Sequence, residues 1–256
     1  MNDQRAPVLE RARGFFVEIV ENAQLAERAV SVRVFPLTAE EAIGRPWRRD
    51  FPIVIGKERV IEARFLGAKG QAFTDSPQEF DGTLAKVLEL ELTTNQHRAV
   101  LIAALNAVLR HLGMVEATVH CKDEDPEHCA LEIAETVSAR FGTVSVGLIG
   151  LNPAIAERLV DRFGADRVRI TDLDPDNVGR ERFGVPIWDG YDRTEDLIEA
   201  VDVVVFTGTT LVNATFDAIW DLIQTRGKRY LVYGMTAAGV CRLMGIEHLC
   251  PRGRSS

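Results

Sequence analysis

The stretch VVVFTGTTLVNATFD, Val203 to Asp217, changes character halfway. Four apolar residues run into Thr207, Gly208, Thr209 and Thr210, with Asn213 and Asp217 just beyond. Hydroxyls and a glycine at the end of a buried strand supply hydrogen-bonding groups and a backbone able to turn tightly or approach a ligand closely. The competing reading is that Thr209 or Thr210 only caps the next helix, a common task for Thr. The amides at such a helix start also attract anions. Tyr233-Gly234-Met235-Thr236 repeats the pattern after the next strand and adds Thr236. A third turn, Gly147 to Pro153, offers Gly150 and Asn152, with Asn152 a natural N-cap and Pro153 a natural first helical residue. It is not the G-x-G-x-x-G of a dinucleotide site, so an NAD pyrophosphate cradle is not expected.

Asp172, in ITDLDPDNVG, lies 22 positions after Gly150, with Asp174 and Asn177 following. A carboxylate at the end of a second parallel strand can accept hydrogen bonds from a ribose diol, in nucleotides and S-adenosyl compounds alike. The alternative is a solvated Asx-rich turn, which Pro175 and Gly179 also suit. VHCKDEDPEHCA holds the candidate metal ligands His120, Cys121, His128 and Cys129. Seven residues separate the two cysteines and His128 adjoins Cys129, a spacing unlike that of zinc knuckles. Cys129 instead fits a small apolar position on a helix capped by Asp125. Lys122 is a candidate acid, base or anion anchor if buried, and otherwise a charge-balanced lysine. His97 and Asn106 lie on a helical stretch, where a His is usually a satisfied surface or boundary residue; His111 and His248 have no partner at useful spacing, and no G-x-S-x-G, H-E-x-x-H or Walker loop is present.

The elements that must hold these residues fall into two halves. Residues 8–28 have helical spacing, AVSVRVFPL reads as a half-buried strand ended by Pro36, and VIEARFLG as another. GAKGQAFTDSP reads as a loop carrying Thr74 and Asp75, and RAVLIAALNAVLRHLG as an apolar helix ended by Gly113. This is an α+β unit. From about residue 127, helices alternate with strands such as VSVGLIG and DVVVF, apolar throughout as in a sheet covered on both faces. TLVNATFDAIWDLIQTRG reads as one helix. Alternation with short connections predicts a Rossmann-like parallel sheet, whose ligands bind beyond the carboxyl ends of the strands.

At 256 residues, 46% apolar and 27% charged, the chain has the composition of a soluble globular protein of one or two domains. A formal charge of −8 argues against nucleic acid or an anionic membrane as partner, though a local basic pocket for a small anion remains compatible. The N-terminus lacks a signal-type apolar core and no run is long enough to span a bilayer, so a cytoplasmic location is expected. The four cysteines are expected as thiols. Oligomeric state is not legible, since apolar helix faces serve cores and interfaces alike.

GAKGQAFTD, HCKDEDPEHC, VGLIGLNPA, TDLDPDNVG, FTGTTLVNAT and YGMTAAG stand in the order seen in the putative heavy-metal chelation family, which the whole chain resembles. The resemblance implies an enolase N-terminal-like α+β domain over residues 1–125, a Rossmann-like domain over 126–256, and a site at their interface. The matching positions include His120, Cys121, Lys122, Asp172, Asp174, Thr207, Gly208, Thr209, Asn213 and Thr236. Ala214 departs from the glycine often seen after LVN. The leading expectation is a small-molecule-binding enzyme acting in the synthesis or handling of a heavy-metal chelator. Its loops would hold a nucleotide-like, S-adenosyl-type or other anionic ligand, with Lys122 or Cys121 facing the reactive part. The alternatives are a non-catalytic metal or metal-chelate carrier and an assembly module with a vestigial cleft.

Overall fold

A computed structural model describes residues 6–35, 40 and 44–255. Helix α1 (Val8–Asn22) buries Val8, Leu9, Ala12, Phe16 and Val20, the face its spacing predicts, while Ala23 is the exposed C-cap. Strands β1 (Ala29–Phe35), β2 (Arg59–Phe65), β3 (Ala68–Thr74) and β4 (Phe80–Thr83) form an antiparallel sheet in the order β3-β2-β1-β4. Pro36 lies outside the described residues. Strand β3 replaces the loop expected at GAKGQAFT. Leu66 and Gly67 take φ of 46° and 86°, the two-residue turn whose twist suits a hairpin. Pairing then runs from Phe65 opposite Ala68 to Arg59 opposite Thr74.

After α2 (Leu84–Leu88) and α3 (Asn95–His111), α4 (Asp125–Phe141) begins the alternating half. Asp125 is not its cap; Glu124 holds that position without a side-chain bond, and Asp125 accepts from Arg254 at 2.7 Å. Then come β5 (Val146–Ile149), α5 (Pro153–Phe163), β6 (Val168–Asp172), β7 (Glu181–Arg182), β8 (Val185–Asp189) and α6 (Gly190–Ala200). Last are β9 (Val203–Thr207), α7 (Phe216–Thr225), β10 (Arg229–Tyr233), α8 (Ala238–Met244) and β11 (His248–Leu249). The sheet order is β11-β10-β9-β5-β6-β8-β7, parallel except for β7. The chain leaves β5 through β6 and β8, then crosses back to β9, so the strand order reverses between β5 and β9. Strand β8 was not foreseen because it alternates buried Val185 and Ile187 with exposed Pro186. The single helix expected after β9 is instead a 3-10 turn, Gly208–Leu211, followed by α7.

The two sheets share packing. Helix α3 is buried at every position from Ala99 to Leu109, as a helix covered all round must be. It lies on β2 and β3 and also against α8. Asn106 is its one polar residue in that run and is fully satisfied. Its Nδ2 donates to the carbonyls of Gln71 (3.0 Å), Met235 (3.2 Å) and Thr236 (3.3 Å), and its Oδ1 accepts from Gly239 N (2.8 Å). One apolar cluster joins α1, α3 and the antiparallel sheet to Val204, Phe206 and Val232 of the parallel sheet. The architecture is therefore an α+β unit, as the enolase N-terminal-like expectation required, followed by a Rossmann-like parallel sheet. Among the described residues, no helix is long and apolar enough to cross a membrane.

Candidate functional site

Four turns meet where the strand order reverses, the position at which open parallel sheets take ligands. After β9, Thr207 rather than Thr209 or Thr210 does the capping: its Oγ1 accepts from Thr209 N (3.3 Å) and from the Thr209 hydroxyl (3.1 Å). The Thr210 hydroxyl donates back to the Thr207 carbonyl at 2.7 Å. Asn213 Oδ1 accepts from the amide (3.1 Å) and hydroxyl (2.7 Å) of Thr215, ordering the entry to α7. Gly208 serves packing rather than chain reversal. A Cβ there would lie 2.7 Å from Ala237 N, so only glycine lets the first Gly-Thr turn nest against the second. In that second turn Thr236 Oγ1 accepts from Phe73 N at 3.1 Å, tying the Rossmann rim to β3.

The turn after β5 sits against the first, with Gly150 at φ 84° and its missing Cβ 2.7 Å from Thr207 Cγ2. Asn152 caps α5 as expected, accepting from Ala154 N (3.1 Å) and Ile155 N (3.2 Å). Asp172 is engaged within the rim. Its carboxylate accepts from Leu151 N (2.6 Å), Asp174 N (2.8 Å) and Asn177 Nδ2 (3.2 Å), which locks the turn after β6 to the turn after β5. Asp174 in turn pairs with Lys57 at 2.6 Å.

The antiparallel unit supplies the opposite wall. Because Arg59 faces Thr74, Glu58 and Asp75 come next to each other one residue further out, at the open end of the hairpin. Asn95 Nδ2 donates to Asp75 at 2.9 Å. The half-buried Glu58 carboxyl has no hydrogen-bond partner among the described residues. Desolvation, then the nearby Asp172 and Asp75 charges, push its pKa up to about 7 from an ordinary 4.5. An unpartnered carboxyl poised there can give or take a proton at neutral pH. His120 follows on the same wall, with its ring edge-on to Phe73. Desolvation lowers its pKa to about 4, against the opposing effect of its hydrogen bond to the Cys121 carbonyl. A neutral ring whose Nδ1 donates to that carbonyl (2.5 Å) leaves Nε2 as a bare acceptor.

These walls enclose one cavity of about 1100 Å³. Gly150, Asn152, Asp172 and Asp174 line it from the turns after β5 and β6, and Thr207, Gly208, Thr209, Thr210, Asn213 and Thr236 from those after β9 and β10. His120, Cys121 and Cys129 also line it, whereas Lys122 and His128 do not. The sequence reading missed Glu58 and Cys250 on the wall and named Asp75 only as part of a loop. Burial raises the Cys121 thiol, pushes Cys129 up to about 12 and Cys250 up to about 11, so all three are protonated at neutral pH. Among the described residues no three His, Cys, Asp or Glu side chains converge as a metal centre, and the donors near Cys121 do not fit a resident bare ion.

Known proteins add the following. Residues 134–248 match the model of a family described as "Putative heavy-metal chelation", DUF364. A crystal structure of a protein with unknown function from that family, from Pyrococcus horikoshii, resembles this chain with a TM-score of 0.51 at 17% identity, over 90% of this chain and 80% of that one. A second DUF364 structure, from Desulfitobacterium hafniense DCB-2, gives a TM-score of 0.49 at 16% identity, over 73% and 72% of the two chains. No functionally curated protein matches. At such identities the first structure speaks for the fold. Residues 134–248 are thus similar to the DUF364 family described as "Putative heavy-metal chelation", and the fold is shared with a structure from that family over 90% of this chain.

Proposed function

We propose that this chain is a small-molecule-binding enzyme whose ligand sits between an N-terminal lobe (residues 1–125) and a Rossmann-like lobe (126–256). The observation that carries the proposal is Glu58, an unpartnered carboxyl from the antiparallel hairpin that shares a cavity wall with Asp172 and the Gly-Thr turns. In this reading the hydroxyls of Thr207, Thr209 and Thr236 and the Asp172 carboxylate orient the ligand, while Glu58 exchanges a proton with it. Neither Lys122, outside the cavity, nor the protonated Cys121 thiol is given that task. The family's description points to a heavy-metal chelator or its precursor as the compound acted on.

Calorimetric titration with S-adenosyl compounds, nucleosides and metal-free chelators tests the proposal. One-to-one binding that Thr207→Val and Thr236→Val weaken supports it. No binding by any of them to folded protein contradicts it. A second reading, non-catalytic binding of a metal chelate, draws support from the carboxylates on the wall, which suit a cationic complex better than a bare ion. Metal analysis of protein purified without a metal-affinity tag separates the two, because the carrier retains stoichiometric metal and the enzyme does not.

A further inference from the structure

A Rossmann-type rim ordinarily receives phosphate at the start of its first helix, where free amides face the ligand. Here that subsite is closed from within. The Leu151 amide is spent on Asp172, and those of Ala154 and Ile155 on Asn152. Pro153 has no amide hydrogen to offer. The charge of the cavity runs the same way. Its described lining holds the carboxylates of Glu58, Asp75, Asp172, Asp174, Asp192 and Glu195 and a single basic side chain of Lys or Arg type, Lys57. Lys57 is already shared between Asp174 (2.6 Å) and Asp176 (2.5 Å). Two further groups on this wall await a partner. One is the Glu58 carboxyl. The other is Thr171, 0% exposed, whose Oγ1 has no hydrogen-bond partner among the described residues. At the mouth Tyr191, 76% exposed, offers a ring face to a planar or cationic group.

Resting on the small-molecule reading above, we infer that this cleft selects ligands bearing a positive charge, such as an ammonium, a sulfonium or a protonated heterocycle, and excludes phosphates, with Glu58 and Asp75 as the pair that receives the charge. A phosphate entering the cavity would meet several carboxylates and find the helix-start amides taken, whereas a cation relieves the mutual repulsion of Glu58, Asp75 and Asp172. The expectation of an anionic ligand is thereby replaced. Of the two classes considered from sequence, S-adenosyl compounds suit the walls and nucleotide phosphates do not.

The test is calorimetric titration of the full chain with two charge series. S-adenosylmethionine, S-adenosylhomocysteine and ATP share a nucleoside and differ in charge at the other end. Phenethylamine, phenethyl alcohol and phenylacetate remove the nucleoside altogether. In every series whose members bind, the cationic member is expected to bind about tenfold or more tighter than the anionic one, a preference that shrinks in Glu58→Gln, in Asp75→Asn and at high salt. The two variants are near-isosteric, and circular dichroism checks that each is folded. ATP or phenylacetate binding as tightly as its cationic counterpart overturns the inference. Equal binding by phenethyl alcohol and phenethylamine overturns charge selection but leaves small-molecule binding intact. If none of the six binds at millimolar concentration, both fail.

Discussion

Glu58 concentrates the chemistry at the scale of single residues. Its carboxyl is faced by Asp172 from the end of β6, Asp75 from the end of β3 and Tyr233 from the end of β10, and stands next to Lys57, which is turned to Asp174 and Asp176. A folded-state pKa near 7 above an ordinary 4.5 means that the folded chain holds a proton the unfolded chain releases. Stability contributed by this group is therefore full below about pH 4.5, falls as pH rises to 7, and stays reduced above it. Glu58→Gln is predicted to be neutral at pH 4.5 and to stabilise by up to about 3 kcal/mol at pH 8, read from denaturant unfolding at the two pH values. His120 works in the other direction. Its lowered pKa makes the folded state resist protonation, so stability is lost as pH falls from 6.5 towards 4. The Thr and Asp candidates were legible in the sequence because each follows an apolar strand. Glu58 was not. It precedes its strand, and its partner Asp75 becomes visible only when Leu66-Gly67 is taken as the centre of a hairpin that pairs 59 with 74.

Elements explain which readings survived. Apolar runs and glycine stops located α1, α3, β5 and β9 closely, since buried strands and all-round buried helices leave little latitude. The hairpin strand β3 was hidden by Gly67 before it and by Lys69 and Gly70 within it, which suggest a loop. Gly70 is there because α3 lies so close that a Cβ would fall 2.2 Å from Ala107 N. Asn106, placed by the sequence only on a helical stretch, ties that helix to both sheets. Asn106→Ala is predicted to cost about 2–4 kcal/mol, because it strands the Gly239 amide and the Gln71 carbonyl in a buried setting; urea unfolding measures it. Ala214 holds φ at 64°, a backbone region that suits glycine. Ala214→Gly is accordingly predicted to raise stability by up to about 1 kcal/mol, seen as a higher melting temperature, without moving the Gly-Thr turns. Gly208→Ala should do the reverse by about 1–3 kcal/mol, since its Cβ would press on the backbone of Ala237.

At the scale of the whole molecule, the meeting of the two sheets matters most. The Rossmann rim alone would present four polar turns to solvent. The antiparallel unit covers them, held by Phe73 to Thr236, by Lys57 to Asp174 and by the Arg48 guanidinium, which bonds Glu127 at 2.5 Å and also Glu157. Sequence order gave no direct sign of this closure, because the contacts join residues 79 to 163 positions apart. Crystallographic screening of small fragments against the full chain probes it most directly. The bound fragments are predicted to gather in the cleft, touching Glu58 or Asp75 on one side and the Thr207 or Thr236 turn on the other, with amines outnumbering acids. Fragments scattered over the exterior, with the cleft bare in a folded and well-diffracting crystal, would contradict a shared binding site.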